Sequence, residues 1–490
     1  MSVIKSYLKY DELKLLDSFY LGFSQRCLIS KSDTRKIKED FENAIVYYLK
    51  QGFSLQVALE LLNPKYLGGF YARPSLLWFS LDNSAKIYPM SIEHDNMPVF
   101  RLSAYLKDEI VPELLQMALT FTIKRFPSFA TTLKKGFFWH YLDTSKKRYI
   151  IQEEKDVPCQ PLKVSRSGSQ SFRVVYFNNR ISVEFFHVLT DGTGGMIFLK
   201  ALLSEYIRLL GVKVDTLGSI WNVNEIPKSE EISNEFTKVA HTENVSGLVN
   251  KRTLQMNGRL TTVKPNQIVH FKVNALKLKE LAKKNNTTVT SYILALMFIA
   301  IKASTDSLSG EVSIQVPVNM RKFYDSITVR NFALYCGVIF NIEEIKDVMS
   351  LTERISSQLE EKANKNKMEE MVTSINKLVN SIKFIPLFIK QPIAKRIYGF
   401  LGDQAFTSTL SNMGVVDMPD VYRKYILSMD FILGTCPNNR AVCGLITYNN
   451  VTTLSISKMT KDPTFEEKMY ELLLKDDLIV EVEGSMVYEY

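Results

Sequence analysis

Two short runs near the middle of the first half, SFRVVYF (171–177) and RISVEFF (180–186), are rich in β-branched and aromatic residues and are separated only by Asn178-Asn179. That composition predicts two strands, and asparagine tolerates the left-handed backbone that a tight hairpin needs. Immediately downstream, Gly192, Gly194 and Gly195 open MIFLKALLSEYIRLL, which stops at Gly211. Its broad apolar stripe at helical spacing predicts a helix, and glycine is a good left-handed cap for its end. The pattern is therefore strand, tight glycine turn, helix, with FFHVLTDGTGG at the turn.

The same reading extends along the chain. The first eighty or so residues read as helical, with KIKEDFENAIVYYLKQG and FSLQVALELL as amphipathic helices ending near Asn63-Pro64. From about residue 84 to 211 strands and helices alternate in the manner of an α/β sandwich. A polar, weakly patterned stretch from 212 to about 266 looks like a crossover, with a helix expected around SGLVNKRTLQ. The second half restarts with a strand, QIVHFKV, a helix, ALKLKELAKKNN, and a long helix, TVTSYILALMFIAIKAS. This order echoes the first half, although no internal duplication is visible as sequence identity. A chain of 490 residues is too long for one ordinary core and suggests two or three domains.

His187 ends the second strand of the pair and is the candidate catalytic base. An imidazole with an ordinary pKa of about 6.5 is well suited to take a proton from a hydroxyl or amine near neutral pH. Asp191 lies four residues on, across the turn. It could orient the ring directly, or brace the turn by pairing with an arginine elsewhere; the spacing leaves both open.

His-x-x-x-Asp-Gly at a strand-to-helix turn resembles the signature of the acyltransferases with the chloramphenicol acetyltransferase-like fold, a superfamily that includes condensation domains and alcohol O-acetyltransferases. The resemblance continues in KIYPM, VFRLSAYL and KRFPSFATTLKKGFFWHYL before the motif. It continues after it in VPVNMR (316–321), RNF (330–332) and STLSNMGVVDMP (408–419), so that it spans roughly residues 85–490. It implies two α/β sandwich lobes forming a cleft, with an extra N-terminal helical segment. The expected division is 1–83 for the appendage, 84–225 for a first lobe carrying the motif, 226–265 for a crossover linker and 266–490 for a second lobe.

The resemblance also implies roles. His187 is the general base, and Asp191 with Gly192 is structural, the aspartate pairing with an arginine. Arg321 is the leading partner, with Arg101 and Arg125 behind it. Ser411 and Asn412 are implied as oxyanion or donor-binding residues, and Asn331 as a residue that binds substrate or braces the cleft. The implied cosubstrate is acyl-CoA or an acyl-phosphopantetheine on a possible acyl carrier protein, the acceptor a small alcohol or amine. A noncatalytic relative that keeps the cleft for binding is the reading from another class. Phe186, where many condensation domains carry a second histidine, shifts the weight toward the acetyltransferase branch. The motif places no nucleophile beside His187, which favours direct transfer without a covalent acyl-enzyme.

Composition narrows the rest. Five scattered cysteines, Cys27, Cys159, Cys336, Cys436 and Cys443, fit a reduced cytoplasmic protein better than a disulfide scaffold, and no metal-ligand spacing is present. Neither a phosphate loop nor a dinucleotide glycine fingerprint occurs, so no tightly bound cofactor is indicated. The net charge of +9 suits a phosphate-bearing donor or an acidic carrier protein. The lysines are diffuse, with none of the aromatic interleaving that reads nucleic acid. No signal peptide or transmembrane segment is expected, since YILALMFIAI is too short to span a bilayer. The segment FIPLFIKQPIAKRIYGFLG (384–402) mixes aromatic, basic and proline residues; packing in the core or along an acyl channel is the favoured expectation, a membrane-surface role the lesser one.

Overall fold

Serine side chains set the starts of the second and third N-terminal helices. A computed structural model describes residues 3–72, 78–86, 89, 97–162, 169–214, 218–244, 252–393, 405–434 and 438–488. Within it α1 (Tyr10–Arg26), α2 (Lys31–Lys50) and α3 (Leu55–Leu61) form the first segment. Ser30 accepts the Asp33 amide at 3.1 Å and Ser54 that of Val57 at 3.4 Å, each pairing a donor that the first helical turn leaves open. Ile37, Phe41, Ala44, Ile45 and Tyr48 recur at helical spacing on α2 and are buried. Phe41 meets Phe121 edge to face at 5.9 Å, so this segment shares the hydrophobic cluster of the sheet that follows.

The motif-bearing part of the chain contains β1 (Trp78–Ser80), β2 (Val99–Leu106), α4 (Pro112–Thr122), β3 (Thr131–Lys135), β4 (His140–Thr144), β5 (Ile151–Glu153), β6 (Ser169–Gln170), β7 (Phe172–Phe177), β8 (Arg180–Phe186) and α5 (Gly192–Leu209). The second half adds β9 (Gln267–Asn274), α6 (Ala275–Lys284), α7 (Val289–Ala303), β10 (Glu311–Asn319), β11 (Ala333–Asn341), α8 (Val348–Lys362) and α9 (Lys365–Ser381). It ends with β12 (Ser408–Val415), β13 (Ile426–Leu433), β14 (Ala441–Tyr448), β15 (Val451–Lys458) and β16 (Glu481–Gly484). The strand, turn, helix reading around the motif thus appears as β7, β8 and α5, with Asn178 at φ +47° in the hairpin and Gly211 at φ +86° after the helix.

These strands form a five-stranded sheet of order β13-β2-β8-β7-β5, a seven-stranded sheet of order β11-β10-β12-β14-β15-β9-β16 and a four-stranded sheet of order β1-β4-β3-β6. Two hydrophobic clusters accompany them. One joins α1 to α5 and the five-stranded sheet; the other joins α7, α8 and the helix Thr464–Lys475 to the seven-stranded sheet. The sheets do not follow the two halves of the sequence. β13 comes from the second half, yet pairs along its length with β2, Phe431 opposite Leu102 and Leu433 opposite Phe100.

The faces of the five-stranded sheet differ in chemistry. Phe100 and Phe185 point toward α5, where Phe185 meets Phe198 edge to face at 6.0 Å. Arg101, Ser103, Ser182, Glu184 and Asp430 are buried among the same strands at positions that alternate with the apolar ones, as side chains on opposite faces must. Arg101 donates to Glu184 at 3.2 Å and to Ser182 at 2.7 Å, so this polar layer is internally paired.

Three sequence expectations fall partly outside the described residues: most of KIYPM, residues 246–251 of the crossover helix and residues 394–402 of the segment FIPLFIKQPIAKRIYGFLG. Residues 252–255 are not helical. Cys436 lies outside them too. The stretch 384–393 differs from its favoured expectation. Leu387 and Lys390 are buried, whereas Phe384, Phe388, Ile389 and Ile393 are exposed.

Candidate active site

His187 sits where β8 gives way to the turn. Its amide donates to Pro98 O at 2.9 Å, which anchors the end of β8 beside the start of β2. Its ring stands edge-on to Phe100 at 5.5 Å, and Phe100 in turn packs against Phe185 and Phe431. Phe186 and Val188 on either side are buried, while His187 keeps part of its surface open. Burial of the ring pushes the imidazole below the ordinary histidine value, against an opposing pull from the Asp191 charge and a hydrogen bond to its own main chain. The neutral form, able to accept a proton, is therefore favoured near pH 7.

Asp191 binds three donors at once. Oδ1 caps α5 by accepting from Gly194 N at 3.1 Å, while Oδ2 accepts from Arg321 Nη1 at 2.8 Å and from Phe332 N at 2.7 Å. Its carboxylate is thus engaged as a brace between the motif and the segment 319–332, the second of the two roles that spacing alone left open. Arg321 uses its fork fully. Nη2 donates to the carbonyls of Thr328 and Arg330, each at 2.8 Å, and Nε to Thr328 O at 3.1 Å. A planar guanidinium suits this many-pointed grip, which a lysine lacks.

Further bonds close the same seam. Thr190 Oγ1 donates to Val329 O at 2.6 Å, and Asn319 Nδ2 to Thr193 Oγ1 at 3.2 Å. Behind it, Arg330 lies 2.9 Å from Asp82 and Arg125 holds Glu231 through two bonds of 2.5 and 2.7 Å. Burial pushes the Asp82 carboxyl up to about 6, partly offset by Arg330. The turn that carries His187 is consequently fixed by contacts from distant parts of the chain and not by its own sequence alone.

Arg101 and Arg125, the other arginines considered for Asp191, are engaged with Glu154 and Glu184 and with Glu231. The strand β12 reaches the motif through Met413: a Cβ added at Gly192 would lie 2.5 Å from its sulfur. Ser411 is two residues earlier on β12 and partly exposed. The Asn412 amide group is exposed and committed elsewhere, donating to Thr290 Oγ1 at 2.9 Å and accepting from Gly414 N at 2.7 Å. Asn331 is buried beside the Asp191 brace. Its Oδ1 accepts from Ala333 N at 3.4 Å, and its Nδ2 has no hydrogen-bond partner among the described residues.

Sequence reasoning missed a second buried histidine cluster. His270 on β9 lies 2.9 Å from Ser455 Oγ and 4.0 Å from Asp430, whose carboxylate accepts from Tyr105 at 2.8 Å. No local spacing could reveal it, because the partners come from four strands. His140 is buried in β4, with its pKa pushed down to about 4 by burial, then by Lys135 and Lys390. Lys200, inside α5, donates to Asp417 O at 2.6 Å and ties the motif helix to the segment after β12.

Residues 231–458 match the alcohol acetyltransferase family. No curated protein matches the chain in sequence. Among solved structures, the chain is similar to TRI101 of Fusarium sporotrichioides complexed with coenzyme A and T-2, at 11% identity and a TM-score of 0.56, covering 83% of this chain and 99% of that one. It is similar to the trichothecene 15-O-acetyltransferase TRI3 of the same organism, at 11% identity and a TM-score of 0.54, covering 81% and 94%. The cyclization-docking bidomain of EpoB from Sorangium cellulosum follows at 12% identity and a TM-score of 0.50, covering 82% and 84%. At these identities the likeness is one of fold. The likeness shows the fold of these acetyltransferases, and the match over residues 231–458 shows an alcohol acetyltransferase domain, which together make the chain an acyltransferase.

Proposed function

We propose that the protein transfers an acyl group from acyl-CoA directly to an alcohol or amine, with His187 as general base. The observation that carries this reading is the place of His187, a partly exposed residue whose pKa burial lowers, at a strand end whose turn is locked by Asp191 and Arg321. In this scheme His187 takes the proton of the acceptor's hydroxyl or amine as its oxygen or nitrogen bonds to the thioester carbonyl. The tetrahedral oxyanion collapses, the carbon–sulfur bond breaks, and the coenzyme A thiolate leaves with the proton from His187. Ser411, on the strand that reaches the motif, is the proposed donor to the oxyanion. TRI101 is described in complex with coenzyme A, and a donor of that class suits a chain of net charge +9.

The test is release of free coenzyme A from short and long acyl-CoAs, with alcohols and amines as acceptors. His187→Ala is expected to lower kcat/KM by about 10²–10⁴-fold with an unchanged melting curve. Because burial lowers the imidazole pKa, the base stays unprotonated to a lower pH than an ordinary histidine. The acid limb of kcat/KM is therefore expected to fall with an apparent pKa below about 6.5. Undiminished transfer by the alanine variant would remove His187 as base. Transfer only from a phosphopantetheine-loaded carrier protein, never from acyl-CoA, would replace the donor.

A further inference from the structure

The loop between β3 and β4 carries Phe137 and Phe138, which are 66% and 38% exposed, and the segment after α9 carries Phe384 and Phe388, which are 76% and 70% exposed. Phe137, Phe138 and Phe384 form one patch, and Phe388 is exposed on the same segment as Phe384. Phe137 and Phe138 meet edge to face at 4.8 Å, and Phe138 meets Phe384 at 6.5 Å. The two elements are joined through the backbone, where Leu387 N donates to Phe137 O at 2.8 Å. Beneath the patch the buried Lys390 ammonium lies 3.2 Å from the Trp139 ring centroid. The phenylalanines therefore project from a fixed base and do not hang from a loose loop.

Lysines stand on both elements. From residue 371 to 393 the sequence carries Lys377, Lys383 and Lys390 and no acidic residue, and from 131 to 142 it carries Lys134, which pairs with Asp143, and Lys135. Lys135, Lys377 and Lys383 are exposed, Lys383 lying 4.9 Å from the Phe384 ring centroid. An apolar patch of this kind on a soluble surface marks an interaction site. Aromatic side chains that protrude from two elements, with lysines at the rim, suit a partner that is apolar within, anionic at its surface and without fixed shape. We propose that this face docks on an anionic lipid bilayer, the phenylalanines entering the headgroup boundary and the lysines meeting acidic headgroups. No single helix among the described residues is long and apolar enough to cross a membrane, so the docking is peripheral.

Sedimentation with phosphatidylcholine vesicles, with and without phosphatidylserine, tests this on the full chain. The wild type is expected to bind the phosphatidylserine vesicles, less well as salt is raised, and the neutral ones more weakly. Phe384→Ser and Phe388→Ser are each expected to weaken binding about tenfold, the loss of one buried aromatic side chain. Lys135→Glu with Lys383→Glu is expected to remove the preference for phosphatidylserine. Leu308→Ser, at an exposed position (87%) in the loop before β10, is expected to bind as wild type does. All substituted side chains are exposed, and thermal melts verify that the variants remain folded. Absence of binding to phosphatidylserine vesicles, or binding indifferent to the two serine substitutions, would overturn the proposal. So would loss of binding to an acidic acyl carrier protein in the same variants without any vesicle binding, which would make the patch a protein dock.

Discussion

Asp191 is buried with two backbone amides and one guanidinium around it, so its charge is compensated only while Arg321 is present. Arg321→Ala is expected to destabilise the fold by about 3–5 kcal/mol, because it leaves a buried carboxylate without its counter-ion. The carbonyls of Thr328 and Arg330 lose a donor at the same time. Arg321→Lys is expected to recover only part of the loss, since one ammonium cannot serve the carboxylate and both carbonyls in the geometry of a guanidinium fork. Urea unfolding of the three proteins measures this, and equal stability of the alanine variant and wild type would show that the brace contributes nothing. The candidate base and its turn were legible in the sequence because their signals are local: a strand period, a glycine turn and a helical period lie within forty residues. Arg321, 130 residues from Asp191, was reached through the family resemblance and not from spacing. Pairs such as Arg330 with Asp82, Arg125 with Glu231 and Asp430 with Tyr105 join residues 106 to 325 positions apart, and only the arrangement of strands brings them together.

At the scale of the element, the start of α5 is a docking edge as well as a helix terminus. A Cβ on Gly194 would lie 2.2 Å from Val329 O and 2.3 Å from Thr190 Oγ1, whereas one on Gly192 would meet the Met413 sulfur at 2.5 Å. The first obstacle is backbone, itself held by the Thr190 bond; the second is a flexible thioether that can swing aside. Gly194→Ala is therefore expected to cost about 2–3 kcal/mol and to lower transfer by displacing His187, while Gly192→Ala costs under about 1 kcal/mol. Melting curves and kcat/KM measured on both variants separate the two, and equal losses would contradict the assigned contacts. The glycines were readable as a turn, but which of them faces backbone and which faces a side chain depends on the segment 328–332 and on β12. The same limit applied to Asn412. A run of hydroxyl and amide residues was visible in TSTLSNMG, yet the bulge between Asn412 and Val415 and the bond to Thr290 decide what the amide meets.

For the whole molecule the question is whether two hydrophobic clusters make two independent folding units. β13 argues against independence, because a fragment ending before it would leave β2 as an unpaired edge and Leu102, Phe100 and Arg101 without their neighbours. The seam from Asp191 to Arg321, with Arg330 to Asp82 and Arg125 to Glu231, adds three buried ion pairs between distant segments. Breaking any one leaves an uncompensated charge, so partial opening is disfavoured relative to complete unfolding. The three tryptophans, Trp78, Trp139 and Trp221, all lie in the first half of the chain, whereas helices and strands that report by circular dichroism are spread over both halves. Urea titration followed by tryptophan fluorescence and by far-ultraviolet circular dichroism is therefore expected to give coincident midpoints. Fluorescence changing in a separate transition would mean that the surroundings of the tryptophans, Trp221 beside the first cluster and Trp139 beside the second, open apart from the rest of the fold. Coincidence in the wild type that is lost in Arg321→Ala would assign the coupling between the halves to the same brace that fixes the candidate base.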